Sequence, residues 1–224
     1  ISLRVYLKFM TVQINYLKST SKKILSNLIL FVDEKFNING LKKHISSNEF
    51  LYISDLLKSN DLKKNILTFE INSKKTIFLI SIKKNIKTSE IENLGAKFHG
   101  YINYEKTNDY FVNSDTVNGK IKDFVNNFLH GIKLKSYDFN IYKSKKDRKK
   151  IIVNVFGGKD KIFNQNQLRF KALEEGTFFA RDLVSEPGNV LHPDEYAKRI
   201  NFLKKYGLKI NIYDEKKLKK LGMN

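Results

Sequence analysis

The run Asn27–Asp33 (NLILFVD) is the feature that most constrains this chain. A strand that shows one face to water alternates apolar and polar residues. A strand with an unbroken apolar centre has both faces covered, as in the middle of a largely parallel sheet. The rest of the chain must therefore supply strands beside this run and helices above and below it.

The flanking patterns do supply them. Val12, Ile14 and Tyr16 alternate as a half-buried strand. A helix is expected at Ser46–Lys58, with Phe50, Ile53, Leu56 and Leu57 on one face. Ile66–Ile71 and Thr76–Ile82 read as a hairpin or as neighbouring strands around Asn72-Ser73-Lys74-Lys75. Ser89 with Glu92 predicts a capping box for a helix whose apolar face is Ile91, Leu94, Phe98 and Tyr101. Helical spacing predicts a further helix over Val117–Ile132. The charged loop Lys143–Lys150 leads into a buried strand, Ile151–Phe156, which Gly157-Gly158 ends as a simple turn.

From Gln167 to Val184 the spacing of Leu168, Ala172, Leu173, Gly176, Phe179, Ala180 and Leu183 predicts a long amphipathic helix, stopped at Ser185-Glu186-Pro187-Gly188. Pro193, followed by Asp194 and Glu195, opens another helix that Gly207 closes. Leu208–Tyr213 alternates as a strand, and Asp214 can cap a last helix carrying Leu218 and Leu221. The fold class expected is α/β, with a second α/β unit opening near Pro187.

No apolar run reaches the roughly 18 to 20 residues of a membrane-spanning helix, and no secretory signal is visible. Met10 is read as the start, with residues 1–9 upstream read-through. The absence of cysteine removes disulfides and thiolate metal sites and fits a reducing compartment, so the cytoplasm is the expected location.

The net charge of +19 admits a DNA-binding accessory or regulatory domain as the alternative reading. However, 37 of the 42 basic residues are lysine, and arginine is the better fork for phosphates and bases. Lys, Asn and Ile share A/T-rich codons, so codon bias alone yields such a composition.

Chemistry-bearing patterns are few. His44, His99, His130 and His192 stand in no metal-ligand spacing. No Rossmann, P-loop or nucleophile-elbow pattern is present. Glu174-Glu175 and Asp194-Glu195 are accounted for by helix solubility and dipole compensation. No catalytic, cofactor-binding or metal-binding residue is assigned. The chain's only two prolines, Pro187 and Pro193, both fall in Ser185–Pro193 (SEPGNVLHP), which marks a closely specified backbone path.

That segment carries a resemblance. Ala180–Pro193 (ARDLVSEPGNVLHP) is similar to the A-R-D-L-x-N-x-P-x-N-x-x-x-P signature that opens the catalytic domain of leucyl (cytosol) aminopeptidases. The likeness runs on through Glu195, Ala197 and Gly207 to Asp214–Met223 (DEKKLKKLGM). Upstream, Gly131–Lys146 resembles the end of the family's amino-terminal domain. Asn140 and Ser185 depart from the family pattern, and the likeness is specific mainly over residues 131–223.

The resemblance implies a macrodomain-like α/β amino-terminal domain over 10–160, a linker helix over 161–186 and the start of a metallopeptidase domain over 187–224. It implies a full-length parent that hydrolyses N-terminal residues from peptides with two divalent ions, zinc or manganese, and assembles as a hexamer. The family's metal-binding motifs, V-G-K-G-x-x-F-D-S-G-G and N-T-D-A-E-G-R, do not occur in this sequence. This chain alone is therefore expected to bind no metal and to be inactive. The macrodomain likeness also raises nucleotide binding of the ADP-ribose type, for which no glycine-rich phosphate loop is present.

Overall fold

The computed structural model describes residues 12–17, 24–102, 109–117, 121–144, 150–157 and 163–223, with the side chains of 163–165 excepted. The expectations for residues 1–9, for Met10 and for Gly158, and most of the Lys143–Lys150 loop, lie outside them. The chain divides into two compact units, Ile1–Thr177 and Phe178–Asn224. The division falls inside one long helix.

The first unit is built on a six-stranded sheet. Its strands are β1 (Val12–Tyr16), β2 (Asn27–Asp33), β3 (Ile66–Asn72), β4 (Lys75–Ile82), β5 (Asp109–Asn113) and β6 (Ile151–Phe156). The spatial order is β1-β6-β5-β2-β4-β3; all neighbours are parallel except the β3–β4 hairpin, so the sheet is mixed. The apolar run Asn27–Asp33 forms β2, and its residues Leu28–Val32 are at most 1% exposed. Helices cover both of its faces, as an unalternating strand demands.

On one face pack α2 (Thr88–His99) and α3 (Phe124–Lys135). Their apolar stripes meet the sheet through edge-on aromatic contacts, Phe31 with Phe124 at 5.1 Å and Phe78 with Phe98 at 5.2 Å. The two helices nearly touch. A Cβ on Gly95 would lie 1.9 Å from the Phe128 carbonyl oxygen, and one on Gly131 would lie 1.9 Å from that of Glu92. Only glycine permits this reciprocal approach of two backbones.

On the other face lie α1 (Ser47–Leu57) and the 3₁₀ turn Asn39–Lys43, closing a second cluster around Leu30, Ile53 and Leu79. Ser46 and Glu49 form a complete capping box at the start of α1.

The ends of several elements differ from expectation. The start of α2 uses Glu90 rather than Glu92: the Glu90 carboxylate accepts the Lys87 backbone N–H at 2.8 Å, so Ser89 lies inside the helix. Tyr101 falls beyond α2 and is 42% exposed. α3 begins at Phe124, not Val117. Asp123 sits at φ 55°, which breaks a helix, and Ser114–Thr116 forms a separate 3₁₀ turn. That turn is structural: the Thr116 hydroxyl accepts the Phe31 N–H at 2.9 Å, just where the β2–β5 ladder ends.

The long helix α4 (Phe163–Ser185) forms, but its buried stripe is not the one that apolar spacing predicts. Leu168 is 75% and Leu173 46% exposed, while Phe170, Glu174, Phe178 and Asp182 are each buried. The buried row runs at intervals of four residues and includes two carboxylates.

In the second unit, α5 (Pro193–Asn201) is followed by a 3₁₀ turn, Phe202–Tyr206, and by α6 (Glu215–Lys220), capped by Asp214. Leu208–Tyr213 pairs with no strand among the described residues, so the expected strand is not formed there. An alternating segment needs a neighbouring ladder to become a strand.

Candidate functional site

The two-proline segment is held by a clamp within the second unit. Pro187 turns the chain, and its carbonyl accepts the N–H groups of Val190 and Leu191, each at 2.9 Å. Pro193 occupies the first turn of α5, with Asp194 and Glu195 beside its N-terminus. From one turn further along, Arg199 reaches back: Nε donates to Glu195 Oε1 and Nη1 to Glu186 Oε1, both at 3.1 Å.

The Arg199 and Glu186 side chains are only 11% and 4% exposed, so this is a largely desolvated pair. Desolvated charges persist when their hydrogen bonds are satisfied, and the planar guanidinium supplies two donors at fixed geometry. Hydrogen bonding to Arg199 above all, aided by the Lys198 charge, holds the Glu195 carboxyl below the usual carboxylate range. The clamp thus fixes the path between α4 and α5. Sequence spacing exposes the Glu195–Arg199 pair at i,i+4, but Glu186 lies thirteen residues from Arg199 and is found only in three dimensions.

A second polar cluster lies in the first unit, where β1, α3 and the first half of α4 meet. Glu174 is not the solubility residue that its place in an acidic pair implied, for it is 8% exposed and its Oε1 lies 3.7 Å from His130 Nδ1. Phe170 packs on the His130 ring at 5.3 Å. Burial first, and the Glu174 charge second, push the Tyr16 phenol up to about 12. Its hydroxyl donates to Asn126 Oδ1 at 3.4 Å. Burial also lowers the Lys133 ammonium, with Glu174 opposing and Lys150 reinforcing the change. The group ties α4 to the domain and presents no nucleophile beside a base.

The remaining histidines are dispersed. The Asn113 amide oxygen accepts the Asp115 N–H, which turns its Nδ2 toward His44 Nδ1 at 3.0 Å. His99 ends α2, and His192 is the exposed residue before α5. Among the described residues no group of three or more His, Cys, Asp or Glu side chains could hold a metal ion. The same residues include no helix long and apolar enough to cross a membrane. Gly157 has φ 144° and lies against Ser114, whose hydroxyl donates to the Phe156 carbonyl, so glycine there serves close packing.

No family model matches the chain. A stretch of 103 residues is 39% identical to a probable cytosol aminopeptidase of Agrobacterium fabrum, covering 43% of this chain and 21% of that protein. The corresponding protein of Phytoplasma mali is 38% identical over 104 residues, covering 44% and 21%. Among solved structures, the bottromycin maturation enzyme BotP in complex with Mn gives a TM-score of 0.63 at 14% identity, over 89% of this chain and 40% of its own.

The cytosol aminopeptidase of Coxiella burnetii gives 0.61 at 15% identity, over 92% and 41%. At these identities the two structures establish a shared fold. The chain spans about a fifth of the length of the sequence relatives it matches. By that sequence likeness, the chain is related to the cytosol (leucyl) aminopeptidases.

Proposed function

We propose that this chain is the amino-terminal portion of a metal-dependent leucyl aminopeptidase whose full-length parent removes N-terminal residues from peptides in the cytoplasm. The observation that carries the reading is the 39% identity to an aminopeptidase over 103 residues. The fold likeness over nine-tenths of the chain supports it.

A six-stranded mixed sheet with helices on both faces supports reading residues 10–160 as a macrodomain-like domain. Residues 161–186 then serve as the linker and 187–224 as the opening of the catalytic domain. The second unit leaves Tyr206, Leu208, Leu221 and Met223 more than half exposed, surface of the kind that a further packed element covers.

In the parent, two divalent ions, zinc or manganese, would polarise the scissile carbonyl and lower the pKa of a bound water. The described residues of this chain do not fit such a centre, because no cluster of ligands exists among them. This portion contributes the scaffold, the clamped entry segment and, in a hexameric parent, a share of the assembly.

The experiment is to read the transcript beyond the codon for Asn224. An open frame that runs into V-G-K-G-x-x-F-D-S-G-G and N-T-D-A-E-G-R is expected. A frame that continues without them overturns the proposal.

A further inference from the structure

On the α1 face of the sheet a cavity of about 310 Å³ opens beside the exposed Lys43. That volume lies at the small end of ligand pockets, which span roughly 300–1,000 Å³. Its lining is apolar at Ile24, Leu28, Ile45 and Phe156 and polar at Lys75, Glu49, Asn113, His44 and Ser46.

The polar lining is defined by what remains unused. The Lys75 side chain is 6% exposed, and its ammonium donates to the Ile24 carbonyl and to Glu49 Oε1, both at 2.8 Å. An ammonium has three N–H bonds, so one has no acceptor among the described residues. Asn113 is 1% exposed, and its amide donates once, to His44. Its second N–H is likewise without a described acceptor.

Glu49, by contrast, is largely engaged: Oε2 accepts from the Ser46 N–H and hydroxyl at 2.8 Å each, and Oε1 accepts from Lys75, which uses three of the carboxylate's roughly four lone-pair sites. Among the described residues the cavity therefore offers two spare donors against one spare carboxylate lone pair. With Lys43 at the rim, its lining charge is positive.

Buried donors without acceptors are costly, and an occupant that brings acceptor oxygens relieves them. A carboxylate fits better than phosphate, because the spare donors are few and half of the lining is hydrocarbon. We infer that this cavity is a binding site for a small organic carboxylate, its oxygens on Lys75 and Asn113 and its apolar body against Ile24, Leu28, Ile45 and Phe156. The site lies in the first unit and is independent of the peptidase reading.

The test is isothermal titration of the whole chain with 4-methylpentanoate, its neutral amide and inorganic phosphate, at pH 7. Saturable binding of the carboxylate is expected, at least about tenfold tighter than either of the others, as loss of a charge-assisted contact implies. Ile24→Phe, which fills the cavity and keeps the carbonyl that Lys75 uses, is expected to abolish it.

The pair Glu49→Gln with Lys75→Met keeps the capping box and removes the ammonium without stranding a charge. It is expected to weaken binding tenfold or more while the far-ultraviolet circular dichroism stays unchanged. No saturable heat with 4-methylpentanoate, equal affinity for the amide, tighter phosphate, or undiminished binding by Ile24→Phe would each overturn the assignment.

Discussion

Replacing Gly131 by alanine tests the close backbone approach of α2 and α3. The new Cβ would lie 1.9 Å from the Glu92 carbonyl oxygen, with the Glu92 carbonyl carbon at 2.7 Å. Non-bonded heavy atoms rest at roughly 3.5 Å, so the backbones must part by about 1.5 Å. Both obstacles are main chain, so no side chain can swing aside.

A radial gap of 0.5–1 Å already forfeits roughly a quarter to a half of a dispersion well. The contacts at risk include Phe98 with Phe128, whose rings lie 5.7 Å apart at the centre of this cluster. Overpacking of this kind costs about 1–3 kcal/mol, and a clash against backbone belongs at the upper end. Alanine's helix propensity returns only about 1 kcal/mol.

The net expectation is a loss of about 2 kcal/mol or more, read as a lower urea midpoint at unchanged slope. Gly176→Ala is the internal control. It also lies inside a helix, but a Cβ there would meet nothing within 4 Å, so a gain of up to about 1 kcal/mol is expected. If Gly131→Ala matches wild type within about 0.5 kcal/mol while Gly176→Ala behaves as stated, the close crossing is refuted.

Three further outcomes follow from named contacts. Burial pushes the Glu49 carboxyl up, but hydrogen bonds from Lys75 and Ser46 outweigh it and hold the group below its usual range. Its stabilising contribution is therefore present above the unfolded value of roughly 4.3 and lost as pH falls through the folded one. Glu49→Gln should lower stability at pH 7 by about 3–5 kcal/mol by stranding Lys75, and flatten the acid limb of a urea-midpoint profile; an unchanged profile refutes this.

Tyr16 should stay protonated in a spectrophotometric titration until about pH 12. The stability tied to its raised value is complete below roughly pH 10 and declines as pH rises toward 12, a decline that Tyr16→Phe should lessen. Arg199→Met should release Glu186 and speed proteolytic cleavage within residues 185–193 by about tenfold or more; unchanged cleavage would show that the clamp does not order the segment.

What the sequence made legible was whatever repeats locally. The apolar centre of β2 follows from an unbroken run, the hairpin from two β-rich runs around a turn, and the faces of α1 and α2 from a period of 3.6, each within a few residues. The buried row of α4 escaped because it includes Glu174 and Asp182, and a hydrophobicity pattern discards carboxylates. Glu174 lies beside His130, 44 residues away in sequence, and no local spacing encodes that proximity.

The glycine crossing and the cavity are of the same kind. Gly95 and Gly131 read as ordinary helix residues until the two helices are brought together. Lys75 is a turn lysine in sequence and a buried partner of Glu49 in space. At the two-proline segment, the clustering of Pro187 and Pro193 located the feature in sequence, whereas the Arg199–Glu186 contact that ties it to α5 is found only in three dimensions.

We propose that this chain by itself performs no metal-dependent aminopeptidase chemistry, since no group of side chains that could hold a metal ion exists among its described residues. The most direct test is release of leucine from an N-terminal leucyl peptide by the purified chain, with manganese or zinc added and then chelated. The account predicts no metal-dependent release above buffer. Release that metal restores and chelation removes would contradict it.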